Sequence, residues 1–309
     1  VKYWQTLVRR EFWEHRALWL APLVVAGLLI ILTLLSGGVH ISADARVNID
    51  GEQIDFVKAL TPERAAKLFG VLIAGIYVPQ LIVMLVVLGF YMLDALYSER
   101  KDRSILFWKS LPVSDAHTVL SKALVALLVV PLGVWAISVL TSLATVGALS
   151  VKLAGGPFAT LVQWNTPVWF GTQAAMLVGT LIAALWYAPI AAALLLISAW
   201  ARRNVFLWAV LPPVGLMLLE ETAFDTNHVM RFLEYRFGGF FDAMGMGVSR
   251  AESGVVAGVT DRQFAQIADV YNRLDVTPLL ASIDLWLGVA AAVGMLWVAM
   301  QIRRRRDDT

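Results

Sequence analysis

The chain contains no cysteine, which excludes disulfides in its loops and any thiolate chemistry and leaves the compartment open. Charge is also scarce. Asp, Glu, Lys and Arg make up 16% of the 309 residues, against about 25% in an ordinary soluble domain. The scarcity is concentrated: Leu68–Leu93, Ala123–Val151 and Leu153–Ala201 hold no charged residue at all. A helix needs only about 20 apolar residues to cross a bilayer, so these runs argue for a multi-pass membrane protein.

Catalytic signatures are missing too. There is no Gly-x-x-x-x-Gly-Lys-Ser/Thr loop to cradle a nucleotide, no Gly-x-Ser-x-Gly elbow and no His-Glu-x-x-His pair. The four histidines, His15, His40, His117 and His228, fall in four different segments, so a shared metal site is not expected. No catalytic, cofactor-binding or metal-ligating residue is therefore assigned to the chain. Glu220-Glu221 resembles the paired glutamates of intramembrane CAAX-type proteases, but Asp225 stands where that pattern has an arginine. Ion-coupled transport ordinarily needs ionisable groups inside the spans. Here Asp94 and Asp284 sit only at span ends, which puts the energy source outside this polypeptide.

What is present reads as an all-α membrane protein, a single domain over 1–309 with six spans at about 17–36, 71–94, 123–149, 174–199, 204–220 and 282–302. The fifth is expected to be broken or kinked, because Pro212 and Pro213 remove two backbone donors. Segments 1–16, 95–122, 200–203 and 303–309 carry 15 of the 25 basic residues. By the positive-inside rule they are cytoplasmic, with both termini inside. Arg303–Arg306 reads as a stop-transfer cluster. This topology accounts for the basic residues, so the net charge of +2 points to no nucleic-acid partner. Ser42-Ala43-Asp44-Ala45 looks like a signal-peptidase site, but the apolar run before it is too long for a signal peptide.

Residues 1–16 read as an interfacial helix. Tyr3, Trp4, Leu7, Val8 and Phe12 form its apolar stripe, and Arg9, Arg10, Glu11 and Glu14 lie elsewhere. Ala45–Phe56 alternates as a hairpin around Asp50-Gly51. Thr61-Pro62-Glu63 starts a helix that can run straight into the second span. In the large outer segment 220–281, Phe232, Phe237, Phe240, Phe241, Met244 and Met246 suit a re-entrant or interfacial hairpin. Phe264, Ile267, Ala268, Tyr271 and Leu274 then mark an amphipathic helix over 261–274.

The densest charge lies between the second and third spans, in YSERKDRSILFWKSLPVSDAHTVLSK, Tyr97–Lys122. The positive-inside rule explains Arg100, Lys101, Arg103 and Lys109. It does not explain Glu99, Asp102, Trp108 or the Ser-Leu-Pro-Val-Ser turn at 110–114. Ile105, Leu106, Trp108 and Leu111 give a short amphipathic helix ended by Pro112, and Ser114 is placed to cap the next helix.

In this stretch Glu99-Arg100, Arg103-Ser104 and Ser110-Leu111-Pro112-Val113-Ser114 stand at the spacing of a Glu-Arg-x-x-Gly-Thr…Ser-x-Pro-Val-Ser pattern, with Arg-Ser in place of Gly-Thr. The chain thereby resembles the membrane subunits of ABC-2 type transporters. The topology covers nearly the whole chain, and the motif about twenty residues. The resemblance implies six spans preceded by an amphipathic elbow helix (Trp4, Arg9, Arg10, Phe12), a cytoplasmic coupling helix, and re-entrant or amphipathic outer helices. It implies that Glu99, Arg100, Asp102 and Arg103, with the ridge Ile105, Leu106, Trp108 and Leu111 and the stop at Pro112, dock on a separate ATPase subunit. ATP and magnesium would be held there, and none by this chain.

A second permease copy and membrane lipid are the other implied partners, and a bacterial inner membrane the implied location. Trp135, Trp186, Tyr187, Tyr77 and Phe90 suit a hydrophobic or amphiphilic cargo such as a lipid, peptide or antibiotic. They suit interfacial anchoring equally well. The competing readings are an intramembrane hydrolase built on Glu220, Glu221 and His228, and a scaffold or sensor that transports nothing.

Overall fold

The computed structural model describes residues 2–36, 46–49, 52–55, 61–102, 114–156, 159–243 and 277–305. Among these, six helices are long and apolar enough to cross a membrane. The chain opens with α1 (Lys2–Glu14) and α2 (Ala17–Leu35). A two-stranded antiparallel hairpin follows, β1 (Arg46–Ile49) and β2 (Glu52–Asp55), with Arg46 opposite Asp55 and Ile49 opposite Glu52. It flanks Asp50-Gly51, where the alternation places a turn. Helix α3 (Pro62–Asp94) starts at its cap: the Thr61 side chain accepts from the Arg64 N–H at 3.3 Å, and Pro62 fills the first turn. There a missing donor costs nothing. The helix runs unbroken through the second span.

After α4 (Tyr97–Lys101) the description resumes at Ser114, which caps α5 (Asp115–Leu124) by accepting from the His117 N–H. The chain continues without interruption through a π-helical turn, Val125–Val129, into α6 (Val130–Lys152). Pro131 lies two residues beyond that turn and supplies no donor to it, and the Val130 N–H reaches Val125 O. At the far end of α6, Lys152 Nζ donates to the carbonyls of Thr33, Leu34 and Ser36, covering the last turn of α2.

The fourth span differs from expectation. A single helix over 174–199 is replaced by two: α7 (Thr166–Trp186), capped by Asn165, and α8 (Ala188–Trp200). They meet at Tyr187. Pro189 lacks the N–H that would bond the Leu185 carbonyl, so the helix breaks there. The fifth span differs in the opposite sense. Helix α9 (Val205–Phe224) is continuous through Pro212 and Pro213, and only Val205 in it is buried. A tight turn then leads to α10 (His228–Ala243), and α11 (Thr277–Ala281) precedes α12 (Ile283–Arg305). The amphipathic helix expected over 261–274 lies outside the described residues.

The core is built on α3. Tyr77, Met84, Leu88, Tyr91 and Met92 pack against Val119, Val125, Ala126, Val130 and Val134, and against Ala191, Leu195 and Ala199 of α8. Helix α8 lies along α12 through small residues, Ala188 and Ala192 facing Ala292. Small side chains let two helices approach closely where lipid offers no hydrophobic drive. Helix α1 and the last turn of α12 meet at one end of the bundle, so both ends of the described chain lie on the same side. The absence of native cysteine makes this directly testable. Cysteines placed at Gln5 and Arg203 are expected to react with an impermeant maleimide from one face of the membrane, and those at Glu63 and Gln163 only from the other. Labelling of Gln5 and Glu63 from the same face would refute this arrangement.

Candidate functional site

Where α1, α3, α4, α5 and α12 converge, charges are buried together. Glu99 of α4 is 4% exposed, and its two oxygens go to different helices. Oε1 accepts from Arg10 Nη2 at 2.6 Å and lies 3.2 Å from Lys122 Nζ; Oε2 accepts from Arg303 Nη1 at 2.5 Å. Arg303 Nε donates to Asp115 Oδ1 at 3.0 Å. Lys122, fully buried, donates to both oxygens of Glu11 at 2.9 and 3.0 Å, and Tyr91 Oη donates to Glu11 Oε2 at 2.8 Å. Arg10 also pairs with Glu14 at the margin. Inside the cluster, Glu11, Glu99 and Asp115 offset Arg10, Lys122 and Arg303. Buried charges are tolerated only in such balanced, hydrogen-bonded sets, and removal of one partner leaves its opposite uncompensated.

Local sequence explains how the helices deliver these groups. Glu11 lies one turn after Leu7, so it belongs to the buried stripe of α1 instead of its solvent face. Lys122 is the last charged residue before the apolar run of the third span, and Arg303 lies in the last turn of α12. Arg303, read from sequence as part of the basic Arg303–Arg306 cluster, is 4% exposed and bonded to both Glu99 and Asp115. None of Glu11, Tyr91, Asp115, Lys122 or Arg303 was singled out from sequence as a site residue. The available signal was a lone Lys and Glu inside otherwise apolar helix faces.

Expected partner-facing residues take several positions. Glu99 turns into the chain. Arg100 donates from Nη2 to the carbonyls of Ser198 and Ala201 at 2.6 and 2.8 Å, covering the end of α8. Ser198 Oγ in return accepts the N–H groups of Leu96 and Tyr97, so α4 and α8 cap each other. Asp102 is exposed. Arg103, Ile105, Leu106, Trp108, Leu111 and Pro112 lie outside the described residues. In the elbow helix, Trp4 meets His117 edge-on at 5.4 Å, Arg9 lies over the Trp13 ring, and Phe12 packs on the core. His15, between α1 and α2, packs edge-on against Tyr91 at 4.9 Å. Burial, followed by the charge of Lys122, holds its pKa below the usual imidazole range. Glu11, Glu14 and His15 come close enough to share a cation. Their oxygens already serve Lys122, Tyr91 and Arg10.

No known protein family and no curated protein matches this chain.

The Glu220 carboxylate works as a helix cap. It accepts the N–H of His228 at 2.6 Å and of Val229 at 2.8 Å, the Thr226 hydroxyl at 2.9 Å, and meets His228 Nδ1 at 2.8 Å. Both oxygens are thus committed to starting α10, and Glu221 is exposed. Helix α10 then docks on the break in the fourth span: Trp186 Nε1 donates to Arg236 O and Tyr187 Oη to Phe237 O, each at 2.9 Å. Beneath it lies a cavity of about 460 Å³ between α3, the π-helical turn, α7–α8 and α10. Of the expected aromatic cargo residues, Tyr77 and Tyr187 line it. Trp135 instead donates to the Gln173 carbonyl, and Phe90 faces outward.

Two outcomes follow for the ion cluster. Glu99→Gln strands three cations and is expected to cost about 3–5 kcal/mol of stability, read as thermal unfolding of the purified chain in detergent; a loss within error of zero would contradict the cluster. The folded His15 resists protonation, whereas in the unfolded chain it gains a proton below about pH 6.5. The unfolded state then binds more protons, so stability falls as pH drops from 7.5 to 5.5. His15→Gln is expected to lack that part of the fall.

Proposed function

We propose that this chain is the permease subunit of an ATP-driven ABC-2 type exporter, working as a pair of copies in a bacterial inner membrane with both termini cytoplasmic. In this reading α1 is the elbow helix, 103–113 carries the coupling helix, and α10 is the outer re-entrant element. A separate ATPase subunit holds ATP and magnesium, and the cargo is hydrophobic or amphiphilic.

The observation that carries the reading is the attachment of the 103–113 segment. Its first flank, α4, enters the ion cluster through Glu99; its second, α5, enters through Asp115 and Lys122. The same cluster includes the elbow helix and the end of the last span. A push on this segment is therefore delivered to the second, third and sixth spans and to α1 as one body, which is what a coupling element requires. A solvated loop has no need of two buried anchors. The cavity along α3 and α8 supports an apolar cargo path, because α3 runs from the cluster to its walls and α8 runs there from its capping contact with α4.

The hydrolase reading has one contact in its favour, the Glu220–His228 pair. Loss of that pair in Glu220→Gln is expected to loosen the start of α10, as for other cap removals, without abolishing a reaction.

The export reading separates docking from coupling. Trp108→Ala with Leu111→Ala is expected to abolish co-purification with the ATPase. Arg303→Met is expected to leave co-purification intact while removing cargo stimulation of ATP hydrolysis. Unchanged ATPase association in the first variant refutes the assignment of the segment.

A further inference from the structure

The corner between α1 and α2 carries two tryptophans and two arginines that the ion cluster does not use. Helix α1 ends at Glu14 and the first span begins at Ala17, so Arg16 stands in the corner itself. Phe12, Trp13, Arg16 and Trp19 line one groove of about 500 Å³ there, within the range of about 300–1,000 Å³ for small-molecule sites. Trp13 is 70% exposed and Trp19 41%. Rings of this size suit the zone between water and hydrocarbon, where tryptophan gathers in membrane proteins. Trp19 is the third residue of a helix long and apolar enough to cross a membrane, which puts the groove at the depth of the lipid headgroups.

Charge at the groove is of one sign. Arg16 is exposed and, among the described residues, its guanidinium makes no ion pair or hydrogen bond. Arg9 lies over the Trp13 ring, 5.4 Å from its centroid, so its charge adds to the same edge. No carboxylate lines the groove. The acid nearest in sequence to Arg16, Glu14, is engaged by Arg10 at 2.7 Å. A guanidinium presents paired donors that match phosphate oxygens. Two indoles would also suit a choline ammonium, but Arg9 already lies over Trp13 and Arg16 repels a further cation. The groove therefore favours a negative headgroup flanked by hydrocarbon.

We propose that the α1–α2 corner binds an anionic phospholipid. Its phosphate lies on Arg16, its net charge is met also by Arg9, and its glycerol and upper acyl chains rest against Trp13, Trp19 and Phe12. This rests on the membrane location of the chain and needs neither an ATPase nor a cargo.

The test uses the full chain purified in a neutral maltoside, with native mass spectrometry as the binding readout and lipids of matched acyl chains. Wild type is expected to bind phosphatidylglycerol at least about fivefold tighter than phosphatidylcholine, the effect of one arginine beside an anionic headgroup. Arg16→Gln is expected to erase most of that preference and Arg16→Lys to keep it. Arg203→Gln, which removes an exposed cation of a different loop, is expected to leave it unchanged. Trp13→Leu with Trp19→Leu is expected to weaken both lipids, and excess inorganic phosphate to displace neither. Because no partner is lost, lipid-free Arg16→Gln is expected to melt at the wild-type temperature.

Equal affinity for the two lipids in wild type would overturn the proposal, and tighter phosphatidylcholine would assign the tryptophans to an ammonium instead. A preference that survives Arg16→Gln, or falls as far in Arg203→Gln, would reduce it to diffuse surface charge. Displacement by inorganic phosphate would make the groove a site for a free anion, and a lower melting temperature in Arg16→Gln would give Arg16 to the fold. Failure of the export reading in its own co-purification test leaves this binding in place.

Discussion

The arrangement of the whole basic end depends on one buried carboxylate. Glu99 sits between Arg10, Lys122 and Arg303, three cations contributed by three helices remote in sequence. In a low-dielectric setting each of these charges is tolerable only while the others stay in place. The elbow helix, the base of the third span and the end of the sixth are therefore held to one geometry around α4. Glu11 extends the constraint to the second span through Tyr91. Hydrophobic packing alone would let these helices slide, since lipid is as apolar as their side chains. Ionic pairing supplies the register that apolar contact cannot.

Away from the cluster, two prolines shape the interior. Pro131 follows the π-helical turn of the third span, and Pro189 lies at the break in the fourth. The break leaves Trp186 and Tyr187 to donate to successive carbonyls of α10, which fixes that helix over the cavity. The same docking sets the Arg236 guanidinium over the Trp186 ring and against Gly288.

Features encoded within a few residues were legible in advance. Thr61 and Ser114 cap the helices they precede, the strands flank Asp50-Gly51, and six apolar helices are present. Each follows from local spacing and backbone chemistry. Features that depend on a partner far along the chain were not legible. Glu11 was placed on the polar side of α1, Arg303 among topology signals, and Glu99 and Arg100 at an outward surface. A charged residue looks the same in sequence whether water or a distant helix neutralises it. The double proline of α9 does not break its helix, which runs continuously through both residues.

The sequence by itself determined that this is a helical multi-pass chain with its basic segments gathered at one end, since span length and charge distribution answer to the bilayer alone. Tertiary structure decided which charges are buried together and that α10 docks on the fourth span at Trp186 and Tyr187. Those outcomes are set by contacts between residues about 50 to 200 positions apart, and no local pattern records them.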